Sequence, residues 1–304
     1  MQKYNIVCLG EILWDILPGK ELPGGAPMNV AYHLQKLLQR VAMVSRVGAD
    51  DHGRRLLQLM GKMRLDTAYV QTDHACETGK VNAWMDAQQD MQYDILYPVA
   101  WDHIQWEPSL EALLAGDDIQ CIVFGSLMAR HGVSAHTLRR ALASRAMKVL
   151  DINLRAPFYS RETLEWLMES CHLLKLNRAE LELISGWYGS YRNNEERIRA
   201  LSARFSIPTI VVTLGSKGCM GFMDEAFHYQ AGLPVTVADT IGSGDAFLAG
   251  FLACRLNGCA PAYSLAYANA LGALVASRPG GCPEYDPAGI MTLMKGAPDD
   301  QPSF

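Results

Sequence analysis

Short apolar runs alternate with helical segments along most of the 304 residues, and this alternation limits the possible folds more than any other feature of the sequence. Chains with this pattern form a parallel sheet that helices cover on both faces. The sequence therefore predicts an α/β fold with a doubly wound, mostly parallel sheet, whose ligands bind outside the carboxyl ends of the strands. The predicted strands are 5–10, 41–47, 119–124, 148–152, 172–176, 209–213 and 235–238. The predicted helices are 30–39, 53–63, 109–115, 134–144, 161–169, 178–186, 194–205, 245–256 and 261–276.

The segment 70–97 breaks this pattern, because its residues alternate and favour β-structure. Two runs, 81–85 and 93–97, flank the polar Gln88-Gln89-Asp90, which is typical of a hairpin. We interpret this segment as a small β lid on the otherwise parallel sheet.

The composition and charge of the chain exclude several classes of partner. The chain is 49% hydrophobic, enough for a large core, and its net charge of −5 comes without any basic tract. Nucleic acid and anionic membranes are therefore poor partners. The eight cysteines form no C-x-x-C pair and are expected to be buried free thiols of a reducing compartment. No signal peptide is expected, and no apolar run reaches the roughly 18 residues of a membrane span, which favours a cytoplasmic protein.

The stretch Asp239-Thr240-Ile241-Gly242-Ser243-Gly244-Asp245 lies where the predicted strand 235–238 meets the predicted helix 245–256. The first turn of a helix has unpaired backbone N–H groups and the positive end of the dipole, and glycines let a phosphate approach the backbone. A carboxylate at Asp245 would repel that phosphate unless it takes a proton from a nucleophile. A helix cap would explain one aspartate, but not both glycines or the second aspartate.

The motifs of other nucleotide and metal enzymes are missing from the chain. No G-x-x-x-x-G-K-[ST] loop occurs, no G-x-G-x-x-G follows a strand, and no H-E-x-x-H is present. An anion site with a carboxylate beside it is nevertheless most of what phosphoryl transfer to a hydroxyl requires from a protein. The sequence therefore favours transfer of a phosphoryl group to a hydroxyl group.

Two longer signatures carry a family resemblance, Gly24-Gly25-Ala26-Pro27-Met28-Asn29 and the stretch 239–247. The segments 151–155, 177–180 and 213–218 between them agree in type and order. In these segments the chain resembles the ribokinase-like (PfkB-type) sugar kinases over essentially its whole length.

Shorter matches at 10–15, 24–27 and 100–104 are similar to the bacterial fructokinase branch of that family. The resemblance implies a single ribokinase-like kinase domain over 1–304, with a β lid formed by about 12–26 and 70–100. In this family the lid closes on the substrate and can pair with a second lid, so a homodimer through the lid is one expected assembly.

For the glycine-rich turn, the resemblance implies that Asp245 is the catalytic base, which deprotonates a sugar hydroxyl. Gly242, Ser243 and Gly244 would donate backbone N–H groups to the transferring phosphoryl group. A monovalent cation site, expected to hold K⁺, is implied at Asp239 together with backbone carbonyl groups nearby. The carbonyl groups of this site are near Ile241, Val275, Arg278 and Gly280. The alternative for Asp239 is a turn carboxylate that accepts local N–H groups.

The resemblance also implies residues that bind ATP and Mg²⁺. Asn177 and Glu180 would organise Mg²⁺ and the phosphates, with Glu180 acting through water, although the bare pattern would indicate a capping box. Thr213, Gly215 and Gly218 would hold the nucleotide in a turn that is equally compatible with a hairpin. Asn269 would lie near the adenine, with a buried amide that bonds the backbone as the alternative.

Asp15, Gly24, Gly25 and Asn29 would bind the sugar, because hydroxyl groups favour carboxylate and amide partners. Arg155 would neutralise phosphate or reach the substrate, with a structural ion pair as the alternative.

The segment 70–97 offers only Lys80 as a basic residue, which favours a neutral acceptor. The expected reaction is ATP-dependent phosphorylation of D-fructose to D-fructose 6-phosphate. Ribose, another ketose, a nucleoside or 2-keto-3-deoxygluconate as acceptor, and a non-catalytic sugar or nucleotide sensor, remain alternatives.

Overall fold

The computed structural model describes residues 4–85 and 91–295 of the chain. The chain divides into two compact units, Met1–Ala146 and Met147–Phe304. Each unit contains parallel strands with helices packed against them, as the alternation in the sequence predicts. Among the residues described, no helix is both long and apolar enough to cross a membrane.

The first unit combines a parallel sheet with a second, smaller sheet. Its strands are β1 (Ile6–Leu9), β2 (Leu13–Leu17), β3 (Lys20–Gly24), β4 (Val41–Gly48), β5 (Val70–Asp73), β6 (Gly79–Met85), β7 (Met91–Ile95) and β8 (Cys121–Gly125). Its helices are α1 (Ala26–Lys36), α2 (Asp51–Lys62), α3 (Pro108–Ala115) and α4 (Gly132–Leu142). Strands β5, β4, β1 and β8 lie side by side in that order, and each neighbouring pair is parallel.

The small sheet of this unit has the strand order β3, β2, β6 and β7. Strand β2 pairs antiparallel with β3 and parallel with β6, and β6 pairs antiparallel with β7. The predicted hairpin is therefore β6–β7, and its predicted polar tip lies outside the described residues. Residues 70–73 differ from the prediction, because they form β5 and pair with β4 instead of joining the small sheet. A salt bridge of 2.7 Å between Asp73 and Arg46 of β4 holds β5 there.

The second unit carries the remaining strands and helices. Its strands are β9 (Met147–Asp151), β10 (Leu173–Asn177), β11 (Thr209–Thr213), β12 (Gly218–Met223) and β13 (Ala226–Ala231). Its helices are α5 (Arg161–Glu169), α6 (Arg178–Gly186), α7 (Asn194–Phe205), α8 (Ser243–Leu256), α9 (Pro261–Ala276) and α10 (Ala288–Lys295). Strands β9, β10 and β11 are parallel neighbours, and β12 and β13 extend this sheet in antiparallel fashion.

The prediction of a strand at 235–238 is wrong. Val237 is 59% exposed, and the N–H groups of Ala238 and Asp239 donate to the carbonyl of Ala276 at 2.9 and 3.2 Å. The segment therefore bonds the end of α9 and not a neighbouring strand. In contrast, β12 and β13 form although the sequence did not predict them, because β11 offers β12 an edge to pair with.

Helix α1 begins at Ala26 and not at the predicted residue 30. Gly25 is its N-cap with a φ of 112°, and Pro27 stands in the first turn, where a missing N–H costs no helical bond. Asn29, predicted to lie in the turn before the helix, is thus part of the helix and is 4% exposed.

The eight cysteines are all free, and Cys8, Cys121, Cys171, Cys219 and Cys254 are buried. Burial raises the pKa of the Cys121 thiol to about 12. A thiol with such a pKa stays protonated at neutral pH and is a poor nucleophile.

Leu38 occupies a glycine-type position after α1. Its φ is 62°, its N–H donates to the Gln35 carbonyl at 3.0 Å, and the N–H of Gln39 donates to the Leu34 carbonyl at 3.0 Å. These two bonds form a Schellman motif, whose left-handed position usually holds glycine. The Leu38 side chain is 90% exposed and contributes little packing.

We expect Leu38→Gly to raise the free energy of unfolding by about 0.5–1 kcal/mol, because the strain of a left-handed Cβ exceeds the added entropy of glycine in the unfolded chain. Leu38→Ala is the matched control, since it keeps the Cβ and should change stability by less than about 0.3 kcal/mol. Urea denaturation of the three proteins measures the effect. Equal stability of the glycine and alanine variants would contradict the argument.

Candidate active site

Helix α8 begins at the glycine-rich turn that the sequence analysis singles out. Its N-cap, Gly242, has a φ of 73°, and a Cβ at that position would lie 2.5 Å from the Cα of Gly281. Both facts require glycine. Ser243 and Gly244 open the helix, and Asp245 lies in its first turn. Most N–H groups of a first helical turn lack partners within the helix, so α8 presents an anion-binding end beside a carboxylate.

Asp239 connects the turn before α8 to the loop after α9. One carboxylate oxygen accepts the N–H of Ile241 at 3.0 Å, and the other accepts the N–H of Gly280 at 3.1 Å. Nearby, the N–H of Arg278 donates to the carbonyl of Val275 at 2.9 Å. The structure therefore brings together the five residues predicted to surround a cation.

The bonds of Asp239 are those expected for a turn carboxylate, and they do not exclude a cation. A carboxylate has about four lone-pair sites, so two accepted N–H groups leave oxygen electrons for a further partner. Carboxylate and carbonyl oxygens are also the ligands that hard cations prefer. The donor set thus fits a monovalent cation.

A buried cluster of charges stands at the ends of β9 and β10. The ammonium nitrogen of Lys175 lies 3.0 and 2.9 Å from the two carboxylate oxygens of Asp151, and the side chains are only 9% and 4% exposed. A Cβ on Gly244 would lie 3.0 Å from the same Lys175 nitrogen. The cluster therefore lies directly against the first turn of α8.

The charges of this cluster favour the ammonium form of Lys175. Burial lowers the pKa of Lys175, but the negative charges of Asp151, Asp245 and Glu180 outweigh it and raise the pKa above its ordinary value. Burial and the charge of Asp151 likewise raise the pKa of the Glu180 carboxyl, which Lys175 opposes. The start of α8 thus has a fixed positive charge beside it.

Asn177 and Glu180 form the capping box that their spacing allows. The Asn177 side chain accepts the N–H of Glu180 at 2.9 Å, and Glu180 accepts the N–H of Asn177 at 2.8 Å. The second oxygen of Glu180 accepts the N–H of Leu154 at 2.9 Å. Among the described residues no group of three or more His, Cys, Asp or Glu side chains could hold a metal ion. Each Glu180 oxygen thus accepts one N–H group and keeps a lone pair for a further partner, so a contact with Mg²⁺ through water is compatible with this geometry.

The predicted nucleotide residues lie at the end of β11 and on α9. A 3₁₀ turn, Gly215–Lys217, connects β11 to the antiparallel β12, so the predicted turn is also a hairpin turn. Gly218 has a φ of 98°, and a Cβ there would overlap the carbonyl oxygen of Gln230. The Asn269 amide donates to the carbonyl of Ala231 at 2.9 Å, and Thr213 donates to that of Leu176 at 3.5 Å.

Within the described residues, Arg155 shows no ion pair of the kind considered as its alternative role. Its side chain is exposed and donates to the carbonyl of Leu154 at 3.1 Å. The guanidinium is therefore held near the backbone of its own segment.

The predicted sugar residues lie together in the first unit. Asp15 is on β2, and its carboxylate lies over Gly24, where a Cβ would overlap it. A Cβ on Gly25 would overlap the carbonyl oxygen of Glu11. The Glu11 side chain, 2% exposed, accepts the N–H of Ala26 at 3.3 Å and so ties the end of β1 to the start of α1. Two glycines thus let carboxylates and backbone lie close together at the start of α1, near Asn29.

Three residues near the candidate site were not predicted from the sequence: Glu11, Lys175 and Asp151. A signal existed for Glu11, since it directly follows a buried strand, and ligands of such sheets bind outside the carboxyl ends of the strands. For Lys175, the available signal was the presence of a lysine inside an otherwise apolar strand. Its partner Asp151 also ends a strand, and parallel strands bring their carboxyl ends together.

Comparison with known proteins shows which family the chain belongs to. The sequence model of the pfkB family of carbohydrate kinases matches residues 19–287. The chain belongs to this family. The fructokinase of Klebsiella pneumoniae is 27% identical over 260 residues, which cover 82% of this chain and 83% of that protein. As a member of the pfkB family, the protein is a sugar kinase and therefore a phosphotransferase.

Solved structures show the ribokinase-like fold that the sequence predicts for this pfkB kinase. The fructokinase of Xylella fastidiosa with bound ATP superposes with a TM-score of 0.83 at 21% identity and covers 96% of this chain and 98% of that chain. A fructokinase double mutant from Vibrio cholerae, with fructose, ADP and a potassium ion bound, gives a TM-score of 0.80 at 24% identity, with 96% and 99% covered.

The buried pair of this sugar kinase should be strongly coupled. We expect Asp151→Asn and Lys175→Met each to lower the free energy of unfolding by about 3 kcal/mol, because each leaves a buried charge without its partner. The double variant should cost less than the sum by at least about 1 kcal/mol, as urea denaturation of all four proteins would show. The exposed pair Arg178–Glu182, at 2.8 Å, is the control and should couple by no more than about 0.5 kcal/mol. If the losses in the free energy of unfolding of Asp151→Asn and Lys175→Met simply add in the double variant, the assigned ion pair is contradicted.

Proposed function

We propose that this kinase transfers the γ-phosphoryl group of ATP to the O6 hydroxyl of D-fructose, with Asp245 as the catalytic base. The observation that carries the proposal is the position of Asp245 in the first turn of α8, next to Gly242 and Gly244. The helix dipole stabilises a carboxylate in the first turn, but the carboxylate repels an anion bound there, so its presence at an anion site points to a chemical task. Accepting the proton of the attacking hydroxyl is such a task.

The proposed reaction proceeds as an in-line displacement. The Asp245 carboxylate takes the hydroxyl proton, a bond forms between the sugar oxygen and the γ-phosphorus, and the bond from that phosphorus to the β-γ bridging oxygen breaks to release ADP. The N–H groups of residues 242–244 would stabilise the negative charge on the transferring group, that of Ser243 by giving up its bond of 3.3 Å to the carbonyl of Thr240. The ammonium of Lys175, which lies close to Gly244, adds a positive charge at the same place.

Two cations support this reaction in the proposal. Asn177 and Glu180 would organise hydrated Mg²⁺, which supplies charge neutralisation of the ATP phosphates. Asp239 and the carbonyl groups around it would hold K⁺ beside the turn. The bound potassium ion of the Vibrio cholerae fructokinase supports the second assignment.

The charges of the first unit favour a neutral acceptor. Asp15 and the buried Glu11 supply carboxylates close to Gly24 and Gly25. An acceptor carboxylate or phosphate would be repelled by these groups, whereas sugar hydroxyls can donate hydrogen bonds to them.

Three basic side chains around the small sheet are already paired. Lys80 lies 2.5 Å from Glu77, Arg55 lies 2.7 Å from Glu21, and Arg130 lies 2.6 Å from Asp102. This pairing supports a neutral sugar over an anionic acceptor such as 2-keto-3-deoxygluconate. The fructokinase relatives then favour fructose among neutral sugars.

The decisive assay is ATP turnover across fructose, ribose, other ketoses, a nucleoside and 2-keto-3-deoxygluconate. We expect fructose to give the highest kcat/KM, and Asp245→Asn to lower kcat by about 10²–10⁴-fold, because the hydroxyl proton loses its acceptor. Asp224→Asn, a 72%-exposed aspartate in the turn between β12 and β13, is the matched control and should keep wild-type turnover. Turnover of ribose or a nucleoside alone would exclude fructose as the acceptor, and full activity of Asp245→Asn would exclude Asp245 as the base.

Potassium should activate the wild-type enzyme through Asp239. Replacing K⁺ by tetramethylammonium at constant ionic strength is expected to lower kcat/KM for ATP by about tenfold, because the larger ion cannot be ligated by the same oxygens. Asp239→Asn should lose most of this dependence while Asp224→Asn keeps it. A wild-type rate that does not respond to K⁺ would contradict the cation assignment.

A further inference from the structure

The side chain of Arg130 is buried and bonds two separate segments of the first unit. Arg130 follows a 3₁₀ turn, Ser126–Ala129, directly after β8, and its side chain is 1% exposed. Its Nε and Nη2 atoms donate to the two carboxylate oxygens of Asp102 at 2.6 and 2.8 Å. Nη2 also donates to the carbonyl of Leu96, just after β7, at 2.8 Å. The guanidinium therefore holds the connection by which the chain leaves the small sheet.

Asp102 is fully buried and fixed by the same connection. It belongs to a 3₁₀ turn, Ala100–His103, and its carboxylate also accepts the N–H of Val99 at 2.9 Å. Ser134 of α4 donates to the carbonyl of Trp101 at 2.8 Å, which anchors the turn on the parallel-sheet part of the unit. Arg130 thus connects Leu96, where the chain leaves the small sheet, to the 3₁₀ turn Ala100–His103, which bonds α4.

Trp101 lies between this guanidinium and strand β6. The Cζ atom of Arg130 is 3.7 Å from the centre of the Trp101 ring, which is fully buried. A Cβ on Gly79 would lie 2.5 Å from Nε1 of that ring and 3.2 Å from Cβ of Leu13. Gly79 is the first residue of β6 and pairs in register with Leu13 of β2. The small sheet therefore rests on a ring whose position Arg130 fixes.

The strands that rest on Trp101 also carry two of the predicted sugar residues. Asp15 is on β2, and Gly24 of β3 pairs in register with Leu13. A shift of β6 against Trp101 would move Leu13 and with it the carboxylate of Asp15. Only arginine can make this set of contacts, because a planar fork bonds both carboxylate oxygens and a carbonyl while it stacks on an indole.

We propose that Arg130 is a positioning residue for acceptor binding, which fixes Trp101 and the exit from β7 and thereby the small sheet that carries Asp15 and Gly24. The link to the acceptor rests on the proposed function. The claim that Arg130 fixes the position of the small sheet does not depend on the proposed function, and it is measured separately.

Two variants of the full chain test the proposal from different sides. Arg130→Lys keeps the charge but cannot form the three bonds, and Gly79→Ala leaves Arg130 intact while placing a methyl group against the Trp101 ring. Asp66→Asn is the control, because the Asp66 carboxylate bonds the Tyr4 hydroxyl and the N–H of Ala68, which lie outside the small sheet.

In Arg130→Lys and Gly79→Ala, amide hydrogen exchange in peptides covering 79–85 and 91–97 should become at least about fivefold faster than in the wild type, and Asp66→Asn should leave it unchanged. The KM for fructose should rise about tenfold in both variants, while the KM for ATP stays within about twofold. A loss of general stability alone would not separate the two KM values in this way.

Exchange no faster than in Asp66→Asn for both variants would overturn the fixing of the small sheet by Arg130. Faster exchange with both KM values raised equally, or neither raised, would overturn the link to acceptor binding. If the wild type phosphorylates no neutral sugar, the proposed function fails, and the exchange data alone decide whether Arg130 fixes the small sheet.

Discussion

The ammonium group of Lys175 lies buried between the Asp151 carboxylate and the first turn of α8. This contact joins three elements that are far apart in the sequence, β9, β10 and the helix that begins at Ser243. Removing such a charge from water is unfavourable, and it is tolerated only because Asp151 binds it with both oxygens and because Asp245 and Glu180 add their negative charge. The same arrangement leaves a positive charge where a phosphoryl group would approach. One side chain thus meets a structural need and, under the proposed function, a chemical one.

Much of the fold could be predicted because local signals coincide with the elements. Helix α5 begins after Ser160, whose side chain accepts the N–H of Thr163, and the predicted and observed limits of this helix agree. Helix α9 begins at Pro261, where proline has no bond to lose, and again agrees with its prediction. Local sequence signals failed where the formation of a strand depends on a neighbouring strand to pair with. Segment 235–238 has strand-like residues but pairs with no strand among the described residues, whereas β12 forms between β11 and β13.

The part of the candidate site that is formed by contiguous residues could be predicted from the sequence. The turn at 242–245 combines glycines, a helix start and a carboxylate within one short stretch, so its chemistry could be inferred directly. The role of Lys175 could not, because its meaning comes from Asp151 and Gly244, which no local pattern associates with it. Glu180 is an intermediate case, since its capping box follows from spacing, whereas its third bond, to the N–H of Leu154, follows only from the fold.

Gly242 and Gly281 touch through backbone atoms alone. The amides at the start of α8 are therefore aimed in part by main chain packed on main chain, while the Asp239 carboxylate bonds the neighbouring N–H groups of Ile241 and Gly280. At Gly242 even the smallest added carbon is excluded, because a Cβ there would lie 2.5 Å from the Cα of Gly281. Any side chain introduced at Gly242 would therefore displace the amides at the start of α8 themselves.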